Sequence, residues 1–314
     1  TLRKIAKDPK RALVVFDPRV SETAELADIH IQLMPGTDAW ALAALIAIIL
    51  EENIAKEEWI AEHVNGFDNI RPLFDGLAIA QYCHWCGVEE AQLRALARRM
   101  AAAESVAWYE DLGVQMNRHS TLVSYLLRLA WLVTGSFGKA GAQFVVNSLR
   151  PLMNSSSSLA RKSPVAGTPL LGNLVPCNVI AEEILSDHPD RYRAMLIESA
   201  NPAHSLADSA KFVQAMRKLD FSVVIDVAMS ETARHADYIL PAATQYEKAE
   251  ATFFNFEFPH NYFHLRHPIM RPPEDADVLT EAEIHARIIE ELGEMPEEVE
   301  GLRKTLVHQG REAF

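Results

Sequence analysis

Two stretches of this chain are close copies of each other, separated by a constant offset of 209 residues, as from Asp17 to Asp226 and from Asp28 to Asp237. Each copy is an apolar run that ends in Asp, followed by a loop with Ser-Glu-Thr-Ala, then Ala-Asp and a second apolar run. A strand and loop repeated this closely predict two α/β domains that each hold one copy. They also predict two like sites, which face either one long ligand or two similar ligands.

Composition restricts the class of protein and of ligand. The chain has 314 residues, of which 49% are hydrophobic and 23% charged, and this composition is typical of a globular protein long enough for two domains. The formal net charge of −13 and the lack of a clustered basic run argue against nucleic acid as the main partner. A small anionic ligand remains compatible with this charge, because a few local arginines or helix N-termini suffice to bind one.

Cysteine content and hydropathy bear on localisation. Three cysteines provide no disulfide framework, which favours a reducing, cytoplasmic compartment. The most apolar segment, 39–50, is shorter than the roughly 20 residues that a membrane span needs. The chain begins at Thr1 rather than Met, so we expect it to be a piece of a longer protein.

Hydrophobic periodicity and turn residues predict the secondary structure. Predicted strands cover 11–16, 106–109, 194–198 and 221–226, and predicted helices cover 38–52, 56–63, 89–103, 120–133 and 206–217. Thr37 or Asp38 is expected to cap the first long helix, and Thr280 with Glu283 forms a capping box for a helix that runs to Leu292. The strand, helix and strand between 194 and 226 form a βαβ unit, which implies a parallel sheet.

These elements predict an α/β fold class: two related, doubly wound, mainly parallel-sheet domains of Rossmann-like type that form a pseudo-symmetric pair. We assign residues 1–150 to the first domain, 151–177 to a linker or excursion that contains four consecutive serines, and 178–314 to the second domain.

The repeated loop carries the residues that suggest ligand binding. Asp17 and Asp226 follow predicted strands, and ligands of open α/β sheets lie beyond the carboxyl ends of the strands. A carboxylate there can accept hydrogen bonds from two ribose hydroxyls or from a guanine edge. Thr23 and Thr232 can fix a phosphate or a base, and Arg19 can bind a pyrophosphate. The alternative is that these loops only cap strands, since Asp and Thr are common turn residues. Repetition of the whole string favours binding.

Standard nucleotide fingerprints are absent. The chain has neither the Gly-x-Gly-x-x-Gly dinucleotide motif nor a phosphate loop that ends in Gly-Lys-Ser/Thr. The glycine cluster at 134–141 has a different spacing. Ordinary NAD binding and P-loop ATPase activity are therefore disfavoured.

Two sets of residues carry a resemblance to a known family. The first set is Asp17-Pro18-Arg19, Thr23, Ala27-Asp28 and Pro35-Gly36-Thr37-Asp38, followed by the glycine cluster at 134–141. The second set is Asn201-Pro202, Asp226, Glu231-Thr232-Ala233, Ala236-Asp237, Leu240-Pro241-Ala242 and Glu247-Lys248. In their order along the chain, these segments resemble the two guanosine-binding segments of the molybdopterin oxidoreductases of the dimethyl sulfoxide reductase family.

The resemblance implies a bis(molybdopterin guanine dinucleotide) cofactor that carries molybdenum or tungsten. By position, one guanosine end is served by Asp17, Arg19, Thr23, Gly36 and Asp38, and the other by Asp226, Glu231 and Thr232. Asn201, with Pro202, is expected nearer the pterin. No catalytic residue and no metal ligand are assigned within this chain.

Members of that family are much longer, and this chain resembles only their central domains. An iron–sulfur cysteine cluster and the protein ligand to the metal are expected upstream, and a closing β-barrel domain downstream. We therefore expect the chain to be inactive alone, with the missing domains of its own full-length protein as partners. The residues after Glu247-Lys248, at 249–259, depart from the Gly-Thr and Asn-x-Glu-Gly-Arg pattern of many members.

Other interpretations compete with this one. A non-catalytic scaffold, similar to the large iron–sulfur subunit of respiratory NADH dehydrogenase, would keep the fold without the cofactor, and an unrelated nucleotide-binding α/β module is a third alternative. Cys83 and Cys86 have Cys-x-x-Cys spacing, but no second pair accompanies them, which favours two ordinary thiols over a zinc site. His260, His264 and His267 are close in sequence, and packing or a place at a pocket edge is favoured over metal binding.

Overall fold

The computed structural model describes residues 2–144, 161–171, 173–252, 263–296 and 299–309. The chain divides into two compact units, Thr1–Val146 and Asn147–Phe314. Each unit contains parallel β-strands together with α-helices, as the predicted fold class requires.

The first unit is mostly helical around one pair of parallel strands. Its strands are β1 (Val14–Phe16) and β2 (Ile29–Ile31), which pair in parallel. Its helices are α1 (Leu2–Ile5), α2 (Asp38–Glu51), α3 (Glu57–His63), α4 (Phe67–Ile70), α5 (Ile79–Cys86), α6 (Glu90–Ala102), α7 (Leu112–Gln115) and α8 (Ser120–Val133).

Helix α2 is the centre of the first unit. Its residues 41–49 are all buried, and Leu45, Ile46 and Ile48 have no exposed surface. The helix is apolar on every side because α5, α6 and α8 surround it, as expected for a helix enclosed in a protein core. In the described part of the chain, no helix is both long and apolar enough to cross a membrane.

The second unit contains a parallel sheet with helices on both faces. Its strands are β3 (Ala194–Glu198), β4 (Phe221–Asp226), β5 (Tyr238–Pro241), β6 (Glu250–Thr252) and β7 (His264–Arg266). Its helices are α9 (Ile180–Leu185), α10 (Pro202–Ser205), α11 (Ser209–Lys218), α12 (Glu281–Glu291) and α13 (Glu300–Gln309). Strands β3, β4 and β5 form one parallel sheet in that order, which confirms the predicted βαβ unit, while β6 and β7 pair antiparallel.

Adjacent residues of β4 show how both faces of this sheet are covered. Val224 packs against Phe212 and Met216 of α11, whereas Ile225 packs in a separate cluster with Ile284 of α12. Successive side chains of a strand point to opposite faces, so the strand needs a helix on each side. Both residues are fully buried, which explains why β4 is a continuous apolar run rather than an alternating one.

The structure corrects three local predictions. Residues 106–109 form no strand, because the Val106 amide donates to the Ser136 hydroxyl rather than to a neighbouring strand. The Thr37 side chain does not cap α2, since its hydroxyl donates to the Met34 carbonyl oxygen at 2.6 Å. The helix predicted at 206–217 begins later, where Asp208 caps α11 by accepting from the Lys211 amide. The capping box at Thr280 is confirmed.

The predicted linker has a described part that is tied to the second unit. The four serines at 155–158 lie outside the described residues. Downstream of them, the amides of Val165 and Ala166 each donate to the Glu183 carboxylate of α9 at 2.9 Å. Glu183 has no exposed surface, and it therefore fixes this segment to the helix through a buried charge. The domain boundaries assigned from the sequence remain a prediction.

We expect Glu183→Gln to destabilise the second unit at neutral pH. Burial by itself raises the pKa of Glu183, but hydrogen bonds from Ser163, Ala166 and Val165 outweigh it and lower the pKa below its ordinary value of 4.5. A carboxyl with a lowered folded-state pKa contributes stability above its unfolded pKa, and this contribution disappears as the pH falls through the folded value. The expected loss at pH 7 is about 1.5–3 kcal/mol, the usual range for hydrogen bonds to a charged group.

Urea unfolding at several pH values measures this loss, and hydrogen exchange at the Val165 and Ala166 amides locates it. Glu182→Gln is the matched control, because Glu182 is the adjacent residue and makes a half-exposed pair with Lys211. The Glu182→Gln variant is expected to lose less stability than Glu183→Gln, as for other surface ion pairs. Equal losses for the two variants, or a Glu183→Gln deficit that does not narrow below pH 4.5, would contradict the assignment.

Candidate functional site

The two copies of the repeat have the same backbone arrangement. In the first, Val14 of β1 pairs with Ile29 of β2, and in the second, Val223 of β4 pairs with Tyr238 of β5. The offset of 209 residues is thus preserved in the strand register as well as in the sequence. In each copy, a short 3₁₀ turn that begins at the alanine of Ser-Glu-Thr-Ala connects the two parallel strands.

The carboxylate at the tip of each first strand is held by its own loop. Asp17 accepts hydrogen bonds from the Arg19 amide at 2.9 Å and the Ser21 hydroxyl at 2.7 Å. Asp226 accepts the equivalent pair, from the Ala228 amide at 3.3 Å and the Ser230 hydroxyl at 3.1 Å. Each carboxylate is therefore fixed in direction, and each of its oxygens keeps capacity for a further hydrogen bond.

The second aspartate of each copy closes the loop at the opposite end of the strands. Asp28 accepts from the Leu13 amide at 2.7 Å, and Asp237 accepts from the Ser222 amide at 2.8 Å. Together with the bonds between the strand-end aspartate and the loop serine, these bonds show that three repeated positions hold the loop in shape. Repetition at these three positions is therefore explained by loop structure and does not by itself favour ligand binding.

Hydrogen bonding also lowers the pKa of Asp17. The Arg19 amide and then the Ser21 hydroxyl lower the pKa of the Asp17 carboxyl below its ordinary value, against a smaller opposing effect of burial. Asp17 is thus a fixed and ionised acceptor at the carboxyl end of β1.

The turn after β2 brings Gly36 and Asp38 to the same sheet edge as Asp17. Gly36 has φ +80°, and the Thr37 amide donates to the Met34 carbonyl, as in a turn with Pro before a left-handed glycine. The Asp38 carboxylate accepts from the side-chain amide of Asn117 at 3.0 Å. An open pocket of about 310 Å³ borders this turn and is lined by Thr37, Trp40 and Trp85.

In the second unit, Asn201 and the second loop form one connected cluster. The Asn201 side-chain amide donates to the Glu231 carboxylate at 2.6 Å, and its oxygen accepts from the Thr232 hydroxyl at 2.8 Å. Pro202 begins α10 directly after Asn201. The Asn201 hydrogen bond lowers the pKa of the Glu231 carboxyl below its ordinary value. Asn201 and the second loop therefore lie together at the carboxyl edge of β3 and β4.

Sequence reasoning omitted three residues that orient these side chains. Ser21 and Ser230 orient the two strand-end aspartates, and the repeat itself signals them, because the serine is common to both copies. Asn117, which orients Asp38, follows α7 and is 79 residues away from it in sequence, and no local pattern marks it.

The cysteine pair and the histidines show no arrangement typical of a metal or redox site in the described ranges. Cys83 and Cys86 lie on α5 with their side chains buried, and burial raises the pKa of the Cys83 thiol to about 11. His264 and His267 are exposed, while His260 lies outside the described residues. Within the described ranges, no group of three His, Cys, Asp or Glu side chains is arranged to hold a metal ion.

We expect Ser21→Ala and Ser230→Ala to loosen their loops by similar amounts. Each removes a hydrogen bond to a carboxylate and the acceptor of an alanine amide, at 3.4 Å for Ala24 and 3.3 Å for Ala233. The expected cost is about 1–2 kcal/mol per loop. Faster amide exchange at Ala24 and Ala233 would report it, with the exposed Ser209→Ala as control. Unchanged exchange in both loops would show that the serines do not hold them.

Comparisons with known proteins identify the family of this chain. The family profile described as molybdopterin oxidoreductase matches residues 1–277. The alpha subunit of F420-dependent formate dehydrogenase of Methanocaldococcus jannaschii is 29% identical over 311 residues, which cover 92% of this chain and 44% of the relative. The assimilatory nitrate reductase catalytic subunit of Bacillus subtilis is 27% identical over 272 residues, with coverages of 80% and 38%. Formate dehydrogenase H of Escherichia coli is 30% identical over 269 residues, with coverages of 79% and 37%.

A solved structure shows the same fold. Acetylene hydratase from Pelobacter acetylenicus superposes with a TM-score of 0.77 at 18% identity and covers 90% of this chain and 43% of that one. The chain spans less than half the length of each of these proteins. The profile match over residues 1–277 extends across both copies of the repeat, and the chain therefore belongs to the molybdopterin oxidoreductase family.

Proposed function

We propose that this chain is part of a molybdenum- or tungsten-dependent oxidoreductase and binds the two guanine dinucleotide ends of a bis-molybdopterin cofactor. Family membership implies a molybdopterin cofactor with molybdenum or tungsten. The observation that carries the guanine dinucleotide assignment is the pair of matched loops, each with a fixed carboxylate at the carboxyl end of a parallel strand.

The donor and acceptor set fits a guanosine. Guanine presents two adjacent N–H donors and ribose presents hydroxyls, and both require fixed acceptors. Asp17 and Asp226 provide such acceptors, because their loops orient them while leaving lone pairs available. Asp17 is ionised at neutral pH, as its lowered pKa requires, and is therefore available for charge-assisted hydrogen bonding.

Other residues of the first unit complete the site for one guanine dinucleotide end of the cofactor. Arg19 is exposed next to Asp17, and its guanidinium is suited to a pyrophosphate. Gly36 permits the turn that presents Asp38, and Asn117 orients the Asp38 carboxylate. The open pocket beside this turn, which two tryptophans line, suits a planar base.

In the second unit, the cluster of Asn201, Glu231 and Thr232 serves the other end together with Asp226. Pro202 fixes the backbone after Asn201 at the start of α10. The Asn201 side-chain amide uses one N–H for Glu231, which leaves a second N–H for the pterin side of the ligand.

The cofactor, when bound, supplies two-electron chemistry at the metal, while this chain binds and orients it. The metal ligand, any iron–sulfur cluster and the closing barrel belong to other segments of the full-length protein in this proposal, and the chain alone is inactive. Substrate and redox partner are set by those segments. One relative is named as the alpha subunit of a larger enzyme, which favours a partner subunit here as well.

The scaffold alternative is less favoured. The relatives matched in sequence are named as formate dehydrogenases and a nitrate reductase catalytic subunit. A scaffold has no need for an exposed Arg19 or for carboxylates that keep free lone pairs. Absence of pterin and guanine nucleotide from the intact protein would favour the scaffold.

We expect Asp226→Asn in the intact protein to weaken cofactor retention. The asparagine keeps the shape and one oxygen acceptor, so the Ser230 hydroxyl can still bind it, but the charge is lost. The loss of a charge-assisted hydrogen bond is worth about 1.5–3 kcal/mol. Metal content and guanine nucleotide released on denaturation measure retention after dialysis.

Asp275→Asn is the control, because Asp275 is exposed and this substitution removes the same charge from the same unit. Normal retention in that variant with reduced retention in Asp226→Asn supports the proposal. Equal metal and nucleotide contents in both variants and the wild type would remove Asp226 from the site.

A further inference from the structure

The two strand pairs of the repeat end at different positions. In the second copy, β4 and β5 pair as far as Asp226 and Pro241, and the Asp226 carbonyl oxygen accepts from the Ala242 amide at 3.1 Å. In the first copy, the pairing of β1 with β2 ends one position earlier, at Phe16 and Ile31. All four strands and the loops between them lie within the described residues, so the difference does not depend on any segment outside them.

A histidine side chain replaces the missing backbone hydrogen bond in the first copy. The Nε2 atom of His30, in β2, lies 2.9 Å from the Asp17 carbonyl oxygen, and because that oxygen can only accept, the ring donates with a proton on Nε2. At the position equivalent to His30, the second copy has Ile239, which packs against the core and has no side-chain donor. The ring therefore gives the Asp17 carbonyl the partner that a backbone amide gives Asp226.

Neighbouring hydrogen bonds strengthen this attachment of the loop to β2. The Gln32 side-chain amide donates to the Pro18 carbonyl oxygen at 3.0 Å, whereas the second copy has Pro241 at that position, which has no side-chain donor. The His30 carbonyl oxygen accepts from the side-chain amide of Gln92 on α6 at 2.8 Å, which fixes the strand that carries the ring. The first two carbonyl groups after β1 are thus held by side chains of β2.

The route of the chain after each second strand explains the substitution. After β2, the Met34 amide donates to the Cys86 carbonyl oxygen at the end of α5, at 2.9 Å, so the chain leaves β1 for that helix. After β5, the chain stays beside β4 for one more residue, through the Ala242 amide. The Asp17 carbonyl lies in a partly buried place, and a carbonyl without a donor there costs free energy.

We propose that His30 is a positioning residue for the Asp17 carboxylate. Its hydrogen bond fixes the peptide group that follows Asp17, and this peptide begins the loop whose Arg19 amide and Ser21 hydroxyl hold the carboxylate. Without the ring, the loop loses an attachment to β2 and the carboxylate loses its fixed direction. The second copy needs no such side chain, because its equivalent bond joins two backbone groups. This inference rests on the proposed function, in which Asp17 binds one guanine dinucleotide end.

The test is His30→Ile in the intact protein, which gives the first copy the residue of the second and removes the donor. Amide exchange at Arg19, which donates to the Asp17 carboxylate, is expected to become about fivefold faster, the factor that corresponds to one neutral hydrogen bond. The Ala228 amide, its equivalent in the second copy, is expected to exchange at the wild-type rate. Guanine nucleotide is expected to leave the protein about fivefold faster during dialysis.

Three further variants complete the test. His30→Gln keeps a side-chain N–H donor of similar reach and is expected to leave both rates near those of the wild type. His264→Ile is the control, because it makes the same change at an exposed strand residue of β7. Gln32→Leu removes the adjacent bond to Pro18 and is expected to accelerate exchange at Arg19, which keeps the test open if His30→Ile does not fold.

Unchanged exchange at Arg19 in His30→Ile, or equal acceleration at Arg19 and Ala228, would overturn the positioning role and leave the proposed function in place. Faster exchange at Arg19 with nucleotide release at the wild-type rate would also overturn it, because the direction of the carboxylate would then not matter for binding. A wild-type protein that releases no guanine nucleotide would refute the proposed function, and exchange at Arg19 would still decide whether His30 positions Asp17.

Discussion

Both halves of this protein depend on a parallel strand pair whose connection has almost the minimum length. Parallel neighbours normally need a crossover of about a dozen residues or more, usually a helix. Here the connection after Asp17 or Asp226 contains only a 3₁₀ turn before the next strand begins. So short a connection has to satisfy its own backbone amides, and the aspartate and serine side chains of the repeat do this at both ends.

That constraint places the strand-end carboxylates where a ligand can use them. The same hydrogen bonds that close the loop also fix the direction of Asp17 and Asp226 at the carboxyl edge of the sheet. Structure and binding are therefore compatible uses of one carboxylate, since each oxygen accepts more than one hydrogen bond.

The surrounding cores hold the loops by different means. In the first unit, a helix buried along its length, α2, begins at Asp38 and packs against three other helices. In the second unit, β4 has a helix on each face, and Glu183 fixes an additional segment through a buried carboxylate. In that unit, Asn201 also encloses the Thr232 hydroxyl.

Local signals were sufficient for the regular elements. The apolar runs at β3 and β4, the periodicity of α6 and α8, and the Thr280 capping box were predicted from residues adjacent in sequence, and the structure confirms them. The predicted strand at 106–109 was wrong because its polar partners, Ser136 and Gln143, come from a distant loop. Apolar composition does not distinguish an extended segment that bonds to side chains from a strand that bonds to a neighbour.

The sequence by itself determined the α/β class, the duplication and the positions of the strand-end aspartates, because hydrophobic periodicity and a repeated string are local properties of the chain. Only the tertiary structure decided which oxygens and hydroxyls are already used. Asn117 reaches Asp38 and Asn201 reaches Thr232 across long sequence separations, so the pairing of these side chains is set by topology.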